Sequence, residues 1–212
     1  ALCIKANKYK YNYGRAANKT LKDILLPAEM PNEFRKITFD KISVPSDKGI
    51  IKKQFDLNIK SWKSFQLSKM VDITGSITTP LLELKEYGKG KYPYVTTQAT
   101  NNGVEGFYNF YTEEGNVLTV DSAVLGYCSF QPLPFSASDH CEKLIPKFSM
   151  NKYIALFLVT IMNLEQYRYN YGRKCSQTRM KIISVKLPAR NGEPDWELME
   201  NYIKSLPYSS SL

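Results

Sequence analysis

The sequence predicts an α+β domain. Three observations point there: a series of short strand-like segments, one apolar helical run after them, and one amphipathic helix near the end. Taken in order, the strand candidates are Tyr92–Thr97, Gly106–Tyr111, Asn116–Val120, Ala123–Phe130 and Lys181–Leu187. Each is rich in β-branched or aromatic residues and is bounded by Gly, Pro or Asn. Breakers fall between them at Tyr87-Gly-Lys-Gly90, Asn101-Asn-Gly103 and Gln131-Pro-Leu-Pro134. Residues 151–167 are apolar nearly all round, which predicts a buried helix. A second helix is expected after Gly192-Glu-Pro-Asp195, with Pro194 opening it and Asp195 and Glu197 in its first turn. Trp196, Met199, Ile203 and Leu206 form its apolar stripe, and Pro207 stops it. Such a stripe packs into a core or docks on a partner helix, and core packing is the commoner use.

The chain has 212 residues, 43% of them hydrophobic, enough for a packed core. Its 29 Lys and Arg outnumber 20 Asp and Glu, a formal charge of +9, with an isoelectric point near 9.2. That balance favours polyanionic partners. The longest apolar run, Tyr153 to Met162, is too short to span a bilayer, so no membrane role is expected. The opening ALCIKANKYKYNYGR has neither an initiator Met nor the apolar core of a secretory signal. The expectation is a piece of a longer, cytoplasmic protein with its four cysteines reduced. No C-x-x-C pair occurs and His140 is the only histidine, so neither a zinc site nor another cofactor is expected. His140 and Cys141 are read as ordinary residues at a strand end, because adjacent side chains point to opposite faces.

The charge is uneven. Residues 1–60 carry a net +7, residues 61–150 a net −2 and residues 151–212 a net +4. Two stretches are basic without an acid. Lys5, Lys8, Lys10, Arg15, Lys19 and Lys22 precede Asp23, and Arg168, Arg173, Lys174, Arg179, Lys181, Lys186 and Arg190 lie between Glu165 and Glu193. The two stretches also repeat each other. Tyr9-Lys-Tyr-Asn-Tyr-Gly-Arg15 matches Tyr167-Arg-Tyr-Asn-Tyr-Gly-Arg173 at six of seven positions. The offset of 158 residues suits a duplicated domain and not a solenoid. We therefore expect residues 1–27 to be the tail of an upstream copy and 28–60, with Pro31, Pro45 and Gly49, to be a connector. Residues 61–190 would be the main domain and 191–212 a C-terminal helix.

An ordered set of residues then carries a family resemblance. It runs Trp62, Phe65, Leu67, Asp72-Ile73 and Gly75, then Lys91-Tyr-Pro-Tyr-Val95, Asn101-Asn-Gly-Val104, Gly115-Asn116, Phe130 and Phe135-Ser-Ala-Ser138. It continues through Tyr171-Gly-Arg-Lys174, Leu187-Pro188 and Gly192-Glu-Pro-Asp-Trp196 to Met199-Glu200 and Tyr202-Ile203. Over about 61–206 the chain resembles the target-recognition domain of the specificity (S) subunit of restriction–modification systems, of type I or the related type IIB/IIG. The resemblance implies a double-β-helix-like sheet portion followed by a C-terminal helical hairpin. It also implies a non-catalytic module that reads one half of a bipartite double-stranded DNA target. The implied partners are a methyltransferase (modification) subunit or fused domain and a restriction subunit. The first copy has Leu26-Pro27 without the Gly-x-Pro-Asp-Trp that follows Leu187-Pro188, so the system type stays open.

No catalytic constellation competes strongly. There is no Asn/Asp-Pro-Pro-Tyr/Phe element of an adenine methyltransferase, no phosphate-binding loop and no nucleophile elbow. The rival is a metal-dependent nuclease using Asp72, Glu83 and Lys85 in a loose D…E-x-K pattern. Against it, Glu83, Lys85 and Glu86 also read as the polar face of a segment whose Leu81, Leu82 and Leu84 are apolar. A third reading is an RNA or single-strand binder that stacks bases on its 15 Tyr and 10 Phe. For the leading reading, the DNA-facing candidates are Arg173, Lys174, Arg179 and Lys181 from the acid-free run, Lys89 and Lys91 from a Gly-rich loop, and Gln98, Asn101 and Asn102 from a polar loop. Arg suits guanine and phosphate, and Asn or Gln suits adenine. Asn102-Gly103 also reads as a hairpin turn. Tyr169 and Tyr171 either pack or touch the DNA backbone, with packing favoured.

Overall fold

The structure is a computed structural model that describes residues 28–29, 49–53, 55–123 and 125–212. All elements named below lie in the unit Ser46–Leu212. The first copy of the heptapeptide, Tyr9 to Arg15, and the rest of the expected upstream tail lie outside the described residues.

The mixed α+β class is what the chain forms. Strand β1 (Lys63–Gln66) leads through a single turn, α1 (Leu67–Met70), into β2 (Val71–Gly75). Helix α2 (Leu81–Glu86) starts directly after Pro80, which cannot continue a ladder but tolerates a helix start. Next come β3 (Lys89–Val95), β4 (Val104–Tyr108), β5 (Val117–Asp121), β6 (Cys128–Gln131), β7 (Ser136–Ala137) and β8 (Cys141–Pro146). Helix α3 (Lys152–Leu164), helix α4 (Gln177–Ile182), β9 (Ser184–Leu187), the small β10–β11 hairpin (Ala189–Arg190, Glu193–Pro194) and helix α5 (Trp196–Ser205) complete the chain.

Four strands form an antiparallel sheet in the order β2-β8-β5-β6, and three form a second sheet in the order β4-β3-β7. In the latter, β3 pairs antiparallel with β4 and parallel with β7. Strand β1 pairs with β9 far along the chain, Phe65 opposite Val185, and so ties the start of the domain to its end. The period-2 alternation of a strand sorts β5 between two cores. Leu118 and Val120 join the large core with α3, whereas Val117 joins a smaller one with Val95, Phe135 and Ala137.

The helices follow their caps. The Asn151 side chain accepts from the N–H groups of Tyr153 and Ile154 and starts α3. Ile154, Ala155, Phe157, Leu158, Ile161 and Met162 are buried, but Leu164 is 67% exposed, so this helix keeps one open face where the apolar run predicts burial all round. It also ends three residues early, in a 3-10 turn over Glu165–Arg168. In α5 the Asp195 carboxylate caps, accepting from Leu198 N–H at 3.0 Å, and Pro194 belongs to β11 instead of opening the helix. The apolar stripe packs into the core: Met199 and Ile203 are buried, and Trp196 stacks on Phe148 at 3.8 Å. Phe157 of α3 meets Tyr202 of α5 edge to face at 6.1 Å.

Three expectations shift. Lys181 lies in α4, because Ser176 caps that helix and Met180 anchors it in the core, so the strand begins at Ser184. Ser122, Ala123 and Leu125 lie in turns, Gly126 is left-handed at φ 72°, and β6 starts only at Cys128. Leu82 is 76% exposed, so α2 buries Leu84 and half-buries Leu81 only.

Burial raises the thiols of Cys128, Cys141 and Cys175, Cys141 to about 12 and Cys175 to about 11 against an ordinary 9.0. Above pH 9 the unfolded chain would release protons that the folded chain retains. Stability from these groups is thus whole below about pH 9 and falls as pH rises toward 11, by up to about 1.4 kcal/mol per pH unit for each thiol. Urea midpoints measured from pH 8 to 11 should fall faster for the wild type than for Cys175→Ala. Parallel declines would refute this assignment.

Candidate nucleic-acid interface

The acid-free run forms a loop, residues 169–176, followed by α4. Both ends of the loop are sunk in the core: Tyr169 is 6% exposed and Cys175 is 1% exposed. Gly126 allows this. A Cβ there would stand 2.7 Å from the Cys175 sulfur, and the positive φ is one that L side chains rarely adopt. The Tyr169 hydroxyl and the Cys175 thiol are both held protonated by burial.

Between these anchors the chain turns tightly. Asn170 and Arg173 exchange both main-chain hydrogen bonds, at 3.2 and 2.9 Å, and the Asn170 side chain accepts from Gly172 N–H at 3.0 Å. Ser176 N–H and the Arg179 guanidinium both donate to the Lys174 carbonyl, at 2.9 and 2.8 Å. Arg179 therefore braces the loop as well as adding charge. Arg173, Lys174 and Lys181 are exposed, and none of them has an acidic partner among the described residues. Arg168 differs, since Glu165 pairs with it.

The other candidates sit in two places. Lys89 and Lys91 are exposed on β3, Lys89 over the Tyr108 ring at 4.6 Å and Lys91 over the Tyr92 ring at 5.1 Å. Such contacts hold a cation near an aromatic face without neutralising it. The polar loop between β3 and β4 spends its amides on main chain. Gln98 and Asn101 both donate to the Val104 carbonyl, and Asn102 both donates to the Phe130 carbonyl and accepts its N–H. Asn101 and Asn102 adopt positive φ, 52° and 55°, and Gly103 follows at 74°; they form a 3-10 turn at the end of the β3–β4 loop, docked on β6, and not a two-residue hairpin turn. Its side chains shape the loop, and no local pattern announces the Asn102–Phe130 pairing across 28 residues.

The carboxylates of the nuclease reading do not converge. Asp72 pairs on the surface with Lys147 at 2.9 Å, and Glu83 and Lys85 are exposed on α2. Among the described residues, no group of three or more His, Cys, Asp or Glu side chains could hold a metal ion. His140 is exposed beside Asp139 in a left-handed turn at φ 61°, not in a strand, and Cys141, the first residue of β8, is buried. The expected packing holds for Tyr169 and not for Tyr171, which is 83% exposed.

Comparison with known proteins agrees with this architecture. The family model described as the type I restriction modification DNA specificity domain matches residues 59–207. The specificity subunit S.BcgI of a type II restriction enzyme from Heyndrickxia coagulans is 28% identical over 212 residues, covering 92% of this chain. The solved S subunit of the type I restriction-modification system from M. genitalium shares the fold, with a TM-score of 0.51 at 13% identity over 74% of this chain. The chain spans 60% of the length of the first relative and 41% of the second. With its strands, its helices and most of its length inside the family match, this chain belongs to the type I restriction–modification DNA specificity domain family.

Proposed function

We propose that the chain is the part of a restriction–modification system that reads double-stranded DNA, recognising one half of a bipartite target. It has no catalytic role in this reading. A methyltransferase, as separate modification subunit or fused domain, supplies the chemistry, with a restriction subunit where cleavage follows. The observation that carries the reading is the pinned, acid-free loop 169–176 with α4 behind it, set in a member of this family. Phosphate contacts from Arg173, Lys174 and Lys181 would fix the register, and Lys89 and Lys91 would extend the positive surface along β3. Gln98, Asn101 and Asn102 would act by holding the β3–β4 turn in shape. The place of action is the cytoplasm, and no described helix is long and apolar enough to cross a membrane.

The same proposal covers the finer architecture. Residues 61–190 serve as the recognition domain, 191–212 as its C-terminal helix, 28–60 as a connector and 1–27 as the tail of an upstream copy. The sheet portion is read as double-β-helix-like, supported by two sheets that share the core around β5. The closing helical hairpin is read in the α3–α5 pair, which packs side by side although α4 and β9 intervene in sequence.

The test is a domain swap in the whole assembly. Replacing residues 61–190 with those of a relative should change one half of the methylated sequence and leave methylation itself intact. Methylation mapping on a plasmid reads this directly. An unchanged target, or loss of the chemical step alone, would overturn the proposal.

A further inference from the structure

We propose that Tyr171 is a DNA contact in its own right: a pre-positioned aromatic ring that stacks on a sugar or base step where the basic loop enters a groove. This rests on the recognition reading above. Along the heptapeptide the tyrosines alternate, Tyr167 77% exposed, Tyr169 6% and Tyr171 83%. A single exposed aromatic is ordinary on a protein surface, so exposure alone decides nothing. What distinguishes Tyr171 is where the fold holds it. It occupies the tip of the turn that the Asn170–Arg173 main-chain pair and the Asn170 cap on Gly172 close. Tyr169 and Cys175 root that turn in the core on both sides. The ring is thus carried on a stiff projection, and the backbone would lose little freedom when the ring is covered.

The loop itself, residues 169–176, carries charge of one sign. Arg173 and Lys174 follow directly, exposed and without acidic partners among the described residues. A protein partner with an ordinary apolar surface would have to strip both cations of water, whereas a polyanion neutralises them. Phosphates on the two cations bring the neighbouring ring to the deoxyribose, or to a base step that it partly unstacks as apolar side chains do in a groove. The sequence adds a separate observation. The heptapeptide at 9–15 has the same residues in order, with Asn12, Tyr13, Gly14 and Arg15 answering Asn170, Tyr171, Gly172 and Arg173. No packing demand in the described fold calls for a ring at position 171.

The experiment uses the complete protein with its methyltransferase partner. The probe is the duplex that the wild-type assembly enriches from a randomised pool. Y171A should weaken binding about ten-fold, as loss of one stacked ring does. Y171F should bind as the wild type does, because stacking needs the ring and not the hydroxyl. The slope of log affinity against log salt should stay the same in Y171A, since no charge is lost, and should flatten in R173A. Circular dichroism should show Y171A folded, the ring being outside the core. If Y171A binds as tightly as the wild type, or Y171F is as weak as Y171A, the stacking role falls while recognition stands. If the wild-type assembly enriches no duplex, the recognition reading itself falls and this inference with it.

Discussion

Reversing both charges beside the loop tip, in R173E/K174E, should weaken duplex binding on the order of a hundred-fold near physiological salt. Two cations are lost and two anions take their place on a loop that has no acid of its own. Each phosphate contact contributes about 0.9 to the slope of log affinity against log salt, so removing two should flatten it by about 1.8. Anisotropy titrations over a salt series measure both quantities. An unaltered slope would mean that this loop does not face phosphate. Lys147→Glu is the proper control, because its partner Asp72 is 62% exposed and a surface pair of this kind contributes little to stability.

Lys143 would be a poor control, and its removal gives the second large effect. Lys143 reaches from β8 to Glu113, whose side chain is only 5% exposed and whose other oxygen accepts from Ile77 N–H. Lys143→Ala strands a buried carboxylate and should cost about 3–5 kcal/mol. For a domain of marginal stability that is a large share of the total. The melting temperature should drop by roughly 10 °C or more. Adding Glu113→Gln should restore part of the loss, because the neutral amide is less costly to bury unpaired. Thermal unfolding of the single and double variants checks this; a single variant within about 1 kcal/mol of wild type would show the pair to be solvated.

Where local order suffices, the amino-acid sequence by itself determined the outcome. Helix α5 has its acidic start, its stripe and its Pro207 stop within 13 residues, and it forms there, although it begins after Asp195 and not at Pro194. The α+β class, the apolar α3 and the uneven charge are equally local or compositional. Strand β8 was missed because Cys141-Glu-Lys-Leu-Ile-Pro146 has no clean alternation, and its Glu142 and Lys143 are tolerated by Gln177 and Glu113 from elsewhere in the chain. Strand β2 likewise gains its meaning from pairing with β8. The alternation of Tyr167, Tyr169 and Tyr171 could be counted in advance, but which tyrosine turns inward depends on the space beside Gly126 and Cys175, 43 and 6 residues from Tyr169. The tertiary structure alone decided that Asn102 binds Phe130 main chain, that Lys143 pairs with the buried Glu113 and that Tyr171 stands exposed. Each of these depends on a neighbour brought close by sheet pairing or loop docking, and spacing along the chain does not encode that distance.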